Sequence, residues 1–114
     1  DDPHYYETDN LDKALDGVPE ESFKILLAHS PETFRKAAFA GIHLYLCGHT
    51  HAGQICLPGG RPLLTNSKCP RAYHAGLWHF EGMTGYTSRG AGTSSVAVRF
   101  NCPAEITVHT LRKK

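Results

Sequence analysis

Phe23-Lys24-Ile25-Leu26-Leu27-Ala28-His29-Ser30-Pro31-Glu32-Thr33-Phe34-Arg35-Lys36-Ala37-Ala38-Phe39-Ala40-Gly41-Ile42-His43-Leu44-Tyr45-Leu46-Cys47-Gly48-His49-Thr50-His51 is the stretch on which the fold turns. Its first apolar run ends at His29-Ser30-Pro31. Ser30 as N-cap, Pro31 at N1, Glu32 in the first turn and Gly41 as the stop predict a helix between them. Phe34, Ala38 and Phe39 give that helix an apolar face. The second apolar run, Ile42-His43-Leu44-Tyr45-Leu46, leads into the His-rich loop. Strand, helix and strand at this length read as a right-handed βαβ unit with parallel strands. Parallel strands share a carboxyl edge, so His29, His49 and His51 belong to the edge where open α/β sheets place their sites.

The loop reads Cys47-Gly48-His49-Thr50-His51-Ala52-Gly53-Gln54. Side chains two apart on an extended backbone point the same way, so His49 and His51 are expected to reach one site. Gly48 is expected to let the chain turn off the strand, and Gly53 to close the loop. Two imidazoles in that geometry suit two adjacent metal ions better than one tetrahedral ion.

Leu27-Ala28-His29-Ser30-Pro31-Glu32 followed by Gly48-His49-Thr50-His51-Ala52-Gly53-Gln54 resembles the calcineurin-like metallophosphoesterases, most of all the branch whose last metal motif is Gly-His-Thr-His-Gly-Gly-Gln. Tyr86-Thr87-Ser88-Arg89-Gly90-Ala91-Gly92 and Val98-Arg99-Phe100-Asn101-Cys102-Pro103-Ala104-Glu105-Ile106 resemble that branch's C-terminal end. Ala52 stands where the branch has glycine, a methyl that is tolerable unless φ is positive.

The resemblance implies five metal motifs, of which the last two are recognised here. The earlier three, which supply the bridging aspartate, a second carboxylate, an asparagine and a further histidine, are expected in a preceding segment. Residues 1–114 are therefore expected to be the C-terminal part of a single metallophosphoesterase domain, inactive alone. The implied fold is α/β of the α+β sandwich type: a βαβ unit and a β-rich segment forming the C-terminal half of a four-layer αββα structure. The implied cofactors are two divalent metal ions (Mn, Fe or Zn), with His51 on one ion and His29 and His49 on the other. Such a pair activates water and clamps phosphate oxygens. Gln54, from its place in the loop, and Arg89, from its charge, are candidates for touching phosphate. The implied partners are a phosphate-containing small molecule or lipid-linked substrate and the missing N-terminal half.

Composition is compatible with this and excludes other classes. A formal net charge of +1 over 114 residues argues against a nucleic-acid surface. Arg112-Lys113-Lys114 is a solvated basic tail, and no apolar run is long enough to span a membrane. Four cysteines form no Cys-x-x-Cys pair. Cys47 reads as a small core residue, while Cys56 and Cys69, flanking a Pro/Gly-rich loop, are open to pairing, zinc binding or remaining thiols. A noncatalytic module holding one structural zinc is the alternative function. His4, His43, His74, His79 and His109 read as structural.

Elsewhere, 9–15 is a short helix candidate capped by Asp9, and 61–65 an edge strand. Leu77-Trp78-His79-Phe80-Glu81 is expected to pair with Tyr86-Thr87-Ser88 across a turn at 82–85. Residues 95–100 and 106–111 read as two further strands. The edges of a lone half are expected to stay open, an association hazard.

Overall fold

A computed structural model describes residues 10–113. His4, the proposed Asp9 cap and Lys114 lie outside the described residues, as does Asp2-Pro3-His4, which spells Asp-x-His.

The described chain begins with helix α1 (Leu11–Leu15), whose cap is Asn10: its side-chain oxygen accepts from the Lys13 amide at 2.8 Å. Strand β1 (Ile25–Leu27) then leads to a 3₁₀ turn (Pro31–Thr33) that continues as α2 (Phe34–Phe39). Ser30 has the extended backbone of a cap, but its buried hydroxyl makes no cap bond. The Tyr45 hydroxyl donates instead to the Ser30 carbonyl at 2.7 Å, tying the helix start to the sheet. Gly41 turns the chain at φ +75°, as its position predicts.

β2 (Leu44–Cys47) lies parallel to β1, with Leu26 opposite Tyr45. The small ribbon of β3 (Cys56–Leu57) and β4 (Arg61–Pro62) is antiparallel, and β4 is shorter than the 61–65 expected, the pairing running on only as the Leu63 amide's bond to the Ile55 carbonyl at 3.1 Å. β5 (Gly76–Phe80) and β6 (Met83–Thr87) form a hairpin. β6 lies parallel to β2 and completes a mixed sheet in the order β1-β2-β6-β5.

The hairpin turn is tighter than expected. Glu81 and Gly82 alone make it, at φ +46° and +80°, so Gly85 sits inside β6. The reason is the Trp78 ring, which occupies the place of a Gly85 side chain: a Cβ there would meet ring carbons at 2.2 Å. Phe34, Tyr45, Trp78, Met83 and Ala37 form the core between α2 and one face of the sheet.

The two strands expected at 95–100 and 106–111 do not form. Phe100 makes one isolated bridge to Ile55, and 101–113 carry no strand. In 105–108 the alternation persists in reverse, with Glu105 and Thr107 half-buried against Tyr86 while Ile106 and Val108 are each 87% exposed. Alternation alone makes no strand without a ladder partner. Among the described residues no helix is long and apolar enough to cross a membrane.

Gly85→Ala is expected to destabilise the fold by about 1–3 kcal/mol through overpacking. Denaturant unfolding followed by Trp78 fluorescence measures it, and an unchanged midpoint would show that the ring has room to move.

Candidate metal centre

β1, β2 and β6 end on one edge, and their following loops meet there. The Gly48 amide donates to the His29 carbonyl at 3.0 Å, and the Ser88 amide to that of Cys47 at 2.8 Å. These bonds continue the parallel ladder past the strand ends and bring 29, 48–54 and 88–92 together.

His29 Nε2 lies 2.8 Å from His49 Nδ1. His49 Nε2 lies 2.9 Å from the Asn66 carbonyl, which can only accept. His49 therefore carries its proton on Nε2, and its Nδ1 lone pair faces the His29 ring. A backbone carbonyl holding one imidazole nitrogen is the support that metal-ligating histidines have. Asn66 had no signal in the sequence for this role.

His51 completes the group. Burial first, then the Arg99 guanidinium, His49 and His29, hold it below the ordinary histidine pKa, against a hydrogen bond with the Gly92 backbone. The neutral imidazole, the ligating form, is thereby favoured. Arg99 Nη2 lies 3.4 Å from His51 Nδ1 and donates to the carbonyls of Arg89 at 2.7 Å, Gly90 at 3.1 Å and Gly92 at 2.7 Å. Arg99, in the tail but given no role from sequence, thus ties three strand-end carbonyls to the histidine loop.

The loop differs from the extended His-x-His expected. His49, His51, Ala52, Gly53 and Gln54 all have positive φ, and Gly48 does not. The turn is made by the histidines' own backbone, so the rings converge through a left-handed coil rather than strand alternation. Thr50 stabilises it: its hydroxyl donates to the His74 carbonyl at 2.6 Å and accepts from the Ala52 amide at 3.2 Å. Gly53 is compelled, since a Cβ there would meet Pro62 Cβ at 2.2 Å.

Both phosphate-side candidates have structural partners. Gln54 is buried and its amide is used twice, Nε2 donating to the Val96 carbonyl at 2.7 Å and Oε1 accepting from the Ser94 amide at 2.6 Å. Arg89 lies 3.7 Å from Glu105. A cavity of about 290 Å³ opens beside His49 and His51, with Gln54, Leu64, Asn66 and Val96 on its walls.

His74, read as structural, is buried, with Nε2 2.8 Å from the Cys69 carbonyl. All four cysteines are free thiols. The thiol beside Cys56 is that of Cys102, not Cys69, which bonds Ser67 Oγ at 3.0 Å. Among the described residues no group of three or more His, Cys, Asp or Glu side chains is arranged to hold a metal ion. Among the described residues, Glu32 is spent on Ser67 and Lys68, and Glu105 on Tyr86 and Thr107. The histidines are thus three nitrogen donors, which fit part of a mixed nitrogen and oxygen ligand set.

Ala52 at φ +51° meets the condition under which its methyl carries a cost. Ala52→Gly is expected to stabilise the chain by up to about 1 kcal/mol, the relief of left-handed strain less the entropy of glycine. Thermal unfolding checks it, and a lowered midpoint would show that the methyl's packing outweighs the strain.

The Tyr86 hydroxyl foremost, then Thr107 and Arg89, hold Glu105 below the ordinary carboxylate pKa against its burial. With the folded pKa depressed, its stabilisation is present above the unfolded value and is lost as pH falls through the folded one. Glu105→Gln should therefore flatten the acid limb of the stability profile. A limb of unchanged steepness in denaturant midpoints taken on both sides of that window would remove Glu105 from the account.

No protein-family model matches the chain. No solved structure matches it either. In sequence it is 36% identical over 98 residues to the uncharacterized metallophosphoesterase YkuE of Bacillus subtilis, across 86% of this chain and 34% of that protein. It is 37% identical over 86 residues to the phosphodiesterase YaeI of Escherichia coli, across 75% and 31%. It is 38% identical over 101 residues to a transmembrane protein with metallophosphoesterase domain of Bos taurus, across 86% and 22%. The chain spans about a third or less of the length of these relatives, and over most of its own length it is homologous to metallophosphoesterases.

Proposed function

We propose that this chain is the C-terminal part of one metallophosphoesterase domain, and that the whole protein hydrolyses a phosphate ester or anhydride at a dinuclear metal centre. The observation that carries the reading is the convergence of His29, His49 and His51 on one sheet edge, with His29 Nε2 at 2.8 Å from His49 Nδ1. In this reading His29 and His49 hold one ion and His51 the other, the metals being Mn, Fe or Zn. The ion pair, when bound, supplies the activation of water and the neutralisation of phosphate charge.

This chain's residues do the rest. The Asn66 carbonyl fixes the His49 tautomer, and Arg99 and the Gly92 backbone orient His51. His29 releases its bond to His49 and turns its Nε2 lone pair to the same task. Gln54 holds the 94–96 segment as one wall of the cavity that takes the substrate beside the histidines. Arg89 sits on the same edge, where its half-buried side chain, 3.7 Å from Glu105, is placed to meet phosphate charge.

The sheet supports the four-layer αββα arrangement. α2 covers one face, and the other presents Ile25, Leu27 and Leu77 to solvent, Leu27 at 75% exposure. An exposed apolar sheet face is what a second sheet packs on. The partner in this reading is the N-terminal half of the same domain, which also brings the carboxylate ligands. The substrate is a phosphate-containing small molecule or a lipid-linked one.

His49→Ala in the full-length protein is expected to lower turnover of an aryl phosphate diester, with Mn²⁺ added, by at least about two orders of magnitude. Hydrolysis near the wild-type rate, with metal content unchanged, would sink the assignment.

A further inference from the structure

We propose that Cys56 and Cys102 form a redox modification site, a reversible disulfide whose formation releases the histidine loop. Both thiols are buried, Cys56 at 2% exposure and Cys102 at 4%. They are hydrogen-bonding neighbours of each other, and both turn to the Ala52 carbonyl. Cys102 Sγ donates to the His51 carbonyl at 3.2 Å and lies 3.9 Å from that of Ala52. Cys56 Sγ donates to the Ala52 carbonyl at 3.3 Å.

The backbones carrying them are already tied side by side. The Cys56 amide donates to the Phe100 carbonyl at 2.9 Å, the Phe100 amide to that of Gln54 at 3.0 Å, and Asn101 Nδ2 to that of Cys56 at 3.2 Å. A cross-link at this point joins two segments that these bonds hold together without it. The other two thiols are differently placed, Cys47 on Thr87 and Cys69 on Ser67.

The oxidant is a hydroperoxide. One sulfur, as thiolate, attacks the peroxide O–O bond, which breaks and leaves a sulfenic acid on the protein and an alcohol or water carrying the thiol proton. The second sulfur then attacks the first, the S–S bond forms, and the sulfenic oxygen leaves as water with the second proton. Two thiols have lost two electrons and the peroxide has gained them. A dithiol reverses the reaction by exchange.

The disulfide has no S–H. The Ala52 and His51 carbonyls therefore lose their sulfur donors at the two residues held at φ +51° and +49°. The His51 carbonyl keeps the Gln54 amide at 3.0 Å, so the loss falls chiefly on Ala52. That the released loop is a metal loop rests on the function proposed above, whereas the disulfide does not.

The test uses the full-length protein treated with hydrogen peroxide, mapped by non-reducing peptide mass spectrometry with amide exchange across 52–54. The expected result is a peptide pair joined through Cys56 and Cys102, lighter than the two thiol peptides by two hydrogens. It is reversed by dithiothreitol and accompanied by several-fold faster exchange at 52–54. Cys56→Ser and Cys102→Ser should each abolish the cross-link, and Cys69→Ser should keep it. If peroxide leaves both thiols free to alkylation, or pairs either with another cysteine, the site is wrong. A correct cross-link with unchanged exchange overturns its coupling to the loop. Neither readout depends on hydrolysis, so both stand apart from the result for His49→Ala.

Discussion

Residues 49–54 are held largely in left-handed backbone, and the site depends on keeping them there. For side chains other than glycine that region costs about 1–2 kcal/mol per residue, so it persists only where neighbouring bonds fix it. Here the bonds come from every side. Thr50 reaches the His74 carbonyl, Gln54 braces 94–96, and the two thiols hold the carbonyls of His51 and Ala52. Each neutral bond contributes on the order of 1 kcal/mol, which sets their sum against the strain. The residues C-terminal to β6 are therefore part of the site, though they contribute no histidine to it.

The βαβ unit was legible because its signals are local. Pro31 and Gly41 punctuate the helix, and the apolar runs on either side have strand length. From parallel strands the shared edge follows, and with it the grouping of His29 and His49. The detailed path of the loop was not legible. Alternation suggested that His49 and His51 project together from extended backbone, but the bonds that coil it come from Asn66, His74 and Arg99, far away in sequence. A turn residue such as Gly48 invites the role that His49 in fact takes. In the C-terminal segment the period-two pattern of Ile106 and Val108 was read as a strand, yet a pattern specifies a face and not a partner. Gly85 shows the converse, a glycine that resembled a turn and proved to be the slot for Trp78.

The same distinction explains the cysteines. Sequence proximity to the Pro/Gly-rich loop linked Cys56 with Cys69, but β3 and β4 fold that loop back on itself. This leaves Cys56 beside the segment ending at Phe100, through one isolated bridge. A single parallel bridge between Ile55 and Phe100 is a weak local feature, yet it decides which thiols meet.

Charge gives the site its remaining asymmetry. Three imidazoles and one guanidinium converge, and burial, the Arg99 guanidinium and the other two histidines together disfavour the His51 cation. The edge therefore carries a surplus of positive potential from Arg99, whose hydrogen bonds run to uncharged carbonyls. Bringing divalent ions to such an edge raises that potential further, unless anionic ligands come with them. Among the described residues, Glu32 is committed to Ser67 and Lys68, and Glu105 to Tyr86. The proposed centre therefore requires anionic ligands at the edge and an apolar cover over Leu27 and Leu77, and one added sheet bearing carboxylates would meet both demands.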